Sequence, residues 1–126
     1  MAVGMDLGAS EWVTVGAAEV ELFTTVAPDP MAPLGTIPPL LVLSLTNLFL
    51  PEIVEVRGFS AGVNYGTGAV RFGPPMPIGN RFRAHAQILE VEDVRGGLQA
   101  TIRITVEVEG VDEPACLVDS LSRYLL

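Results

Sequence analysis

A segment near the middle of the chain, from Leu40 to Leu50, is apolar on almost every side. Pro38 and Pro39 precede this segment and Pro51 follows it. Proline suits the first turn of a helix, where backbone N–H groups are unpaired anyway, and it disrupts a helix interior. The sequence therefore predicts a helix that starts at the two prolines and ends at Pro51. Because such a helix has no polar face, we expect it to be buried all round.

Alternating polar and apolar residues dominate the chain after this helix. Every second side chain of Arg81–Leu89 is apolar, and Leu98–Val108 alternates more cleanly, as is typical of half-buried strands. Gly96-Gly97 is predicted to join these strands as a hairpin, and residues 109–112 to turn the chain into a last strand, 114–124. One buried helix followed by a long antiparallel sheet predicts a single α+β domain over residues 1–126, with the sheet wrapped around the helix.

The N-terminal third is less regular. We expect a short strand or entry segment at Glu11–Val15, then a helix at Ala17–Thr25 with Val20 and Phe23 on one face. Residues 27–35 contain three prolines and a glycine, which predicts a stiff, irregular loop.

Composition excludes several classes of function. The net charge is −8, and the seven arginines are scattered rather than clustered, so nucleic-acid binding is not expected. The single cysteine, Cys116, excludes an internal disulfide and fits a reducing compartment, where we expect it to be a packing residue. One histidine and one cysteine on different strands give no metal site.

Hydrophobic residues make up 49% of the chain and the mean hydropathy is +0.46, which is high for a soluble monomer of this size. We therefore expect another subunit to cover part of the apolar surface, with a homodimer as the simplest assembly. The N-terminus lacks the pattern of a signal peptide, and the longest apolar run is too short to span a bilayer. The sequence thus predicts a cytoplasmic protein without a membrane partner.

The most specific local stretch is Asn64-Tyr65-Gly66 followed by Val70-Arg71-Phe72, within a longer stretch from Gly62 to Tyr124. In its residue order this stretch resembles the MaoC-like, or (R)-specific enoyl-CoA hydratase, branch of the hot-dog fold. The resemblance implies a sheet wrapped around a central helix, an acyl-thioester or other apolar small-molecule ligand, and a ligand tunnel at a dimer interface. No cofactor is expected.

The segment before this stretch departs from the family pattern. Such enzymes carry an Asp, a His five residues later, and then a Gly-Thr-Ile-Ala-His-Gly turn that opens the central helix. Here Asp29 is followed by Pro-Met-Ala-Pro-Leu and at once by Gly35-Thr36-Ile37-Pro38-Pro39-Leu40, so the Asp has a counterpart and the His does not. Hydration of an enoyl thioester requires two cooperating acid/base groups. Asp29 is therefore the lone catalytic candidate; alternatively, it merely shapes a turn between two prolines.

Several other residues are candidates for ligand contact. Leu40 occupies the place of the family's oxyanion glycine, where a helix-start N–H stabilises the enolate oxygen. The resemblance places Asn64, Tyr65 and Arg71 along the tunnel, although they equally well hold the turn and the dimer together. Polar groups on the apolar helix need partners, and we expect Ser44, Thr46 and Asn47 to face the sheet edge or the tunnel unless helix packing satisfies them. His85 is expected at the surface or at an interface.

These observations favour a repurposed small-molecule enzyme that isomerises, eliminates or cyclises an acyl, polyketide-like or thioester-derived ligand, with Asp29 as its acid/base. One alternative is a non-catalytic subunit that stabilises or completes a catalytic homologue in a hetero-oligomeric hydratase. Another is a residual enoyl-thioester hydratase or dehydratase in which a different residue replaces the His. Membership of a fold does not choose among them, because function depends on the site.

Overall fold

A computed structural model describes residues 3–126. Its elements, in chain order, are β1 Asp6–Ala9, β2 Val13–Thr14, α1 Ala17–Val26, α2 Pro39–Ser44, α3 Thr46–Ile53, β3 Ala61–Phe72, β4 Arg81–Val94, β5 Gly97–Val108 and β6 Val111–Leu125.

The strands form one antiparallel sheet in the order β1-β4-β5-β6-β3, and β2 also pairs with β4. Helices α2 and α3 pack against the inner face of this sheet, and the hydrophobic core lies between them. The predicted α+β class, with a sheet wrapped around a central helical segment, is confirmed. Strand β3 is the last strand on one side, and within residues 3–126 its second edge has no partner strand.

The alternating segments explain why the sheet has a dry inner face. Phe82, Ala84, Ala86 and Ile88 of β4 are buried, as are Ala100, Ile102, Ile104, Val106 and Val108 of β5. Strand β4 continues five residues beyond the predicted Leu89, because a shift of register between Ile88 and Glu90 breaks the alternation without ending the pairing. The predicted hairpin is confirmed, with Gly96 at a φ of +85° that favours glycine.

The central helical segment differs from the prediction in two ways. It consists of two short helices joined at Leu45, and Pro51 lies inside α3, which continues to Ile53. The prediction that Pro51 ends the helix was wrong because a proline removes its own N–H and restricts the residue before it, while residues after it remain free to continue.

The segment is also not buried all round within one chain. Leu41, Val42 and Phe49 are buried, whereas Leu40 and Leu48 are 56% and 54% exposed. The sheet wraps only one side of the two helices, so their other apolar residues are open to solvent unless something else covers them.

The N-terminal third follows the prediction approximately. Helix α1 begins at Ala17 as expected, and its Val20 and Phe23 are partly buried against the core. The expected strand at Glu11–Val15 shrinks to the two residues of β2, and β1 was not predicted. Residues 27–35 form an irregular loop with two turns.

Candidate functional site

A groove of about 670 Å³ runs between the two central helices and the edge strand β3. Five of the predicted site residues line it: Leu40, Ser44, Asn47, Asn64 and Tyr65. Helices α2 and α3 supply the first three of them and β3 supplies the other two. The volume lies within the range typical of small-molecule sites.

A hydrogen bond ties the helical wall of the groove to the strand wall. The Asn64 Nδ2 group donates to Asn47 Oδ1 at 2.9 Å. Ser44 Oγ donates to the carbonyl of Leu41 at 2.6 Å, and Thr46 Oγ1 donates to that of Leu43 at 2.8 Å. These hydroxyl groups thus line the groove, as expected, and are also satisfied by their own helix. Both oxygens can still accept a hydrogen bond, because a hydroxyl accepts as well as donates.

Tyr65 is held by a cation–π contact at the rim of the groove. The guanidinium carbon of Arg123 lies 3.6 Å from the centroid of the Tyr65 ring. Arg123 in turn donates from Nε to Gln99 Oε1 at 2.9 Å. Arg71 does not line the groove; it is exposed farther along β3, opposite Leu117.

Apolar and neutral polar side chains both line the groove. None of the described residues that line it is an Asp, Glu, His, Cys, Lys or Arg. Its titratable groups are the phenols of Tyr65 and Tyr124. Burial raises the pKa of Tyr124 above its ordinary value of 10.0, although a hydrogen bond with Ser122 lowers it. Tyr124 is therefore neutral near pH 7, and the groove offers neutral hydrogen-bonding groups and apolar side chains.

Asp29 lies in a different depression, of about 180 Å³, whose lining shares no residue with the groove. The depression adjoins the start of α2 and is walled mainly by apolar residues, among them Pro39, Val42, Phe72 and Met76. Asp29 is partly buried there, and its Oδ1 accepts a hydrogen bond from the Met31 N–H at 3.0 Å. The structure thus places Asp29 apart from the other predicted site residues.

The start of α2 separates the two depressions. Pro39 lines the Asp29 depression, and Leu40 lines the groove. Because Pro39 has no N–H, the amide of Leu40 is the first donor that this helix offers.

Sequence reasoning missed the contribution of β6 to the groove. Ser120 and Ser122 line it from β6, and Ser122 is 4% exposed. The alternation along β6 could have indicated them. Cys116 and Val118 are buried, and side chains two residues apart on a strand share a face, so residues 120 and 122 also point inward.

His85 lies on the face of β4 away from the core, and its Nε2 is 2.8 Å from Asp6 Oδ1. In residues 3–126 no three His, Cys, Asp or Glu side chains form a group able to hold a metal ion. Over the same part of the chain, no helix has both the length and the apolar character that crossing a membrane requires.

An antiparallel sheet wrapped around a central helical segment, with a groove beside an edge strand, defines the chain as a hot-dog protein. Solved structures agree. The MaoC-like dehydratase of Rhodospirillum rubrum superposes with a TM-score of 0.78 at 14% identity, over 99% of this chain and 93% of that one. The (R)-hydratase of A. caviae superposes with a TM-score of 0.75 at 18% identity, over 97% and 96%.

Sequence relatives identify the family. The chain is 36% identical to 3-hydroxyacyl-thioester dehydratase Z of Mycobacterium tuberculosis, over 98% of this chain and 91% of the relative. It is 32% identical to nodulation protein N of Rhizobium leguminosarum, over 90% and 80%. No protein-family model matches the sequence. The chain belongs to the MaoC-like (R)-hydratase family of hot-dog proteins.

Proposed function

We propose that this protein binds an acyl-thioester-derived small molecule and converts it with Asp29 as its only acid/base group. The reaction is an isomerisation, elimination or cyclisation that needs one proton shuttle, not the classical hydration of an enoyl thioester. The observation that carries the proposal is the position of Asp29, a partly buried residue in a mainly apolar depression beside the start of the helix that also borders the groove.

The sequence between Asp29 and the start of α2, which contains no His, supports the loss of the two-residue mechanism. The alignment with the mycobacterial dehydratase spans 138 positions, whereas 98% of this 126-residue chain is about 123 residues. About fifteen positions of the alignment therefore have no residue here. Hydration of an enoyl thioester moves one proton at oxygen and another at carbon, so it needs two cooperating groups. The only histidine, His85, points away from the core and is paired with Asp6.

In this proposal the groove binds most of the ligand, and the depression around Asp29 is where the reaction takes place. The groove is large enough for a small ligand, while about 180 Å³ around Asp29 falls below the usual size of a complete ligand site. The smaller depression therefore receives only the reacting end. In this proposal the ligand crosses the start of α2 between them, and the Leu40 N–H stabilises negative charge on a thioester oxygen. Asn47, Asn64 and Ser44 then supply neutral hydrogen bonds to the remainder.

A second copy of the chain completes the proposed protein. Strand β3 leaves one edge unpaired within residues 3–126 and exposes Val63, Tyr65 and Phe72. An unpaired edge with apolar side chains favours pairing with another strand. A homodimer built on this edge would cover one side of the groove and the exposed Leu40.

The test uses two substitutions of Asp29 that differ in one hydrogen bond. Asparagine keeps an oxygen to accept the Met31 N–H and loses the acid/base function, whereas alanine loses both. Wild-type protein is incubated with a panel of 3-hydroxyacyl-, 3-oxoacyl- and enoyl-CoA esters, and products are identified by mass spectrometry. We expect Asp29→Asn to reduce conversion by about a hundredfold or more with unchanged thermal stability. Full activity in Asp29→Asn would refute the assignment.

One observation favours a second candidate, the non-catalytic subunit. The Asp29–Met31 hydrogen bond is what a purely structural turn residue makes. In that case the wild type and Asp29→Asn would both lack conversion, and both would raise the stability or activity of a co-expressed catalytic homologue.

A further inference from the structure

The sheet wall of the groove is polar at positions where the rest of the inner sheet face is apolar. On β6 the inward-facing residues before Ser120 are buried and apolar, whereas Ser120 and Ser122 line the groove. The pairing of the strands places Thr67 opposite Ser120 and Asn64 opposite Ser122, and both of these β3 residues also line the groove. The sheet thus presents a compact patch of neutral hydrogen-bonding side chains to whatever the groove binds.

An amide on the helical wall faces this patch. The Asn64 Nδ2 group donates to Asn47 Oδ1 at 2.9 Å. An asparagine side chain carries two N–H donors and one oxygen with two lone pairs. The bond therefore leaves the Asn64 oxygen as an acceptor and the Asn47 amino group as a donor. Both residues are exposed and line the groove, so a ligand in the groove can reach these two groups.

An acceptor and a donor side by side match a hydroxyl group, which both donates and accepts hydrogen bonds. A carbonyl oxygen only accepts, so it uses the Asn47 amino group and leaves the Asn64 oxygen without a partner. A hydrocarbon uses neither group and displaces water from both, which costs free energy because polar groups lose their hydrogen bonds. The amide pair therefore favours a hydroxyl over a carbonyl or a plain hydrocarbon.

The uncharged acyl part of the ligand suits this groove better than the CoA part. CoA carries phosphates, but the chain has no lysine, and no arginine is among the described residues of the groove lining. Asn47 follows Leu40 by seven residues, which places it on the order of 10 Å farther along the helical segment. A hydroxyl on C3 lies beside the thioester and stays at the reacting end. The hydroxyl that reaches Asn47 is therefore on a more distant carbon.

We infer that Asn47 and Asn64 bind a hydroxyl group on the acyl chain, remote from the thioester, and so determine which acyl groups the protein accepts. The inference rests on the proposed function, since the reacting end of the same ligand lies beside Asp29. Ser120, Ser122 and Thr67 extend the polar surface and accommodate further oxygen atoms. The substrate class is an acyl chain that is oxygenated along its length rather than a plain fatty acyl chain.

The first test compares three CoA esters of equal chain length: octanoyl-, 3-hydroxyoctanoyl- and 8-hydroxyoctanoyl-CoA. Calorimetry with Asp29→Asn measures their binding without conversion. Two hydrogen bonds gained only by the remote hydroxyl should make 8-hydroxyoctanoyl-CoA bind about tenfold or more tightly than octanoyl-CoA. The 3-hydroxy ester should bind within about threefold of octanoyl-CoA, because its hydroxyl does not reach the amide pair.

A matched pair of substitutions in the same background locates the preference. Asn47→Leu removes the amino donor and should reduce the preference for the remote hydroxyl to less than about threefold while octanoyl-CoA still binds. Asn80→Leu makes the same exchange at an asparagine outside the groove lining and should keep the full preference.

The second test uses two probes without CoA, ethyl 8-hydroxyoctanoate and ethyl octanoate. In wild-type protein the hydroxylated ester should shift the side-chain amide NMR signals of Asn47 and Asn64, and ethyl octanoate should not. Because the wild type is observed directly, this test does not depend on how Asn47→Leu folds. The expected shifts would support the hydroxyl site even if no CoA ester were bound or converted, in which case the proposed function alone would fail.

Amide signals that respond to neither ester, or equally to both, would overturn the inference. Equal affinity for the three CoA esters would overturn it as well, because the amide pair would then bind a group that all CoA esters share. The same holds if 3-hydroxyoctanoyl-CoA shows the full preference, or if folded Asn47→Leu retains it.

Discussion

Replacing Val63 with aspartate should weaken self-association by about a hundredfold. Val63 lies on the edge strand β3 and is 45% exposed. Burying a whole valine side chain contributes about 1.5–2 kcal/mol, so covering the exposed part contributes a little under 1 kcal/mol. A two-fold symmetric interface contains each residue twice, which doubles the loss to about 1.5 kcal/mol. Two carboxylates brought into the interface add about 1.5 kcal/mol or more, and the sum near 3 kcal/mol corresponds to about two decades in Kd.

Sedimentation velocity over a series of protein concentrations measures this effect. Val111→Asp provides the matched control, because Val111 is 39% exposed at the β5–β6 hairpin and does not belong to β3. We expect the control to keep the wild-type Kd while Val63→Asp becomes monomeric at micromolar concentration. The reasoning is wrong if the wild type is itself a monomer under these conditions, or if Val63→Asp associates as tightly as the wild type.

Two further predictions concern residues of the sheet. Burial raises the pKa of the Cys116 thiol to about 11. At pH 8 a thiol reagent should therefore react with the native protein at a small fraction of its rate with the denatured protein. Equal rates would contradict the burial of Cys116. A Cβ atom added at Gly97 would collide with the Tyr124 carbonyl oxygen across the β5–β6 pair. Gly97→Ala should therefore lower the free energy of unfolding, measured by urea denaturation, by about 1–3 kcal/mol. An unchanged denaturation midpoint would refute this contact.

The strands could be predicted from the sequence because polar and apolar residues alternate along any strand of a sheet that has one buried face. The alternation of Phe82 to Ile88 and of Leu98 to Val108 therefore fixed which side chains are buried. The same pattern could not reveal how far β4 extends, since the register shift after Ile88 depends on the partner strand. The sequence of the apolar helix also could not show which of its sides the rest of the chain covers. Leu40 and Leu48 are exposed because the sheet of one chain covers only one side of the helical segment.

The candidate site was predictable to a similar extent. Polar residues on an apolar helix indicated that Ser44 and Asn47 face the sheet edge or the tunnel, and the groove brings them together with Asn64. The position of Asp29 could not be predicted, because a proline-rich loop has no periodicity from which the direction of a side chain follows. Only the fold shows that the start of α2 separates Asp29 from the groove.

The central claim is that this member of the hydratase family lacks the two-residue chemistry of classical hydration. The most direct measurement follows the loss of enoyl-thioester absorbance for crotonyl-CoA and trans-2-octenoyl-CoA, with the longer ester included so that chain length does not limit binding. We predict that purified wild-type protein hydrates neither ester faster than buffer alone. Hydration well above this background would contradict the claim, and turnover that persists in Asp29→Asn would show in addition that the chemistry lies elsewhere.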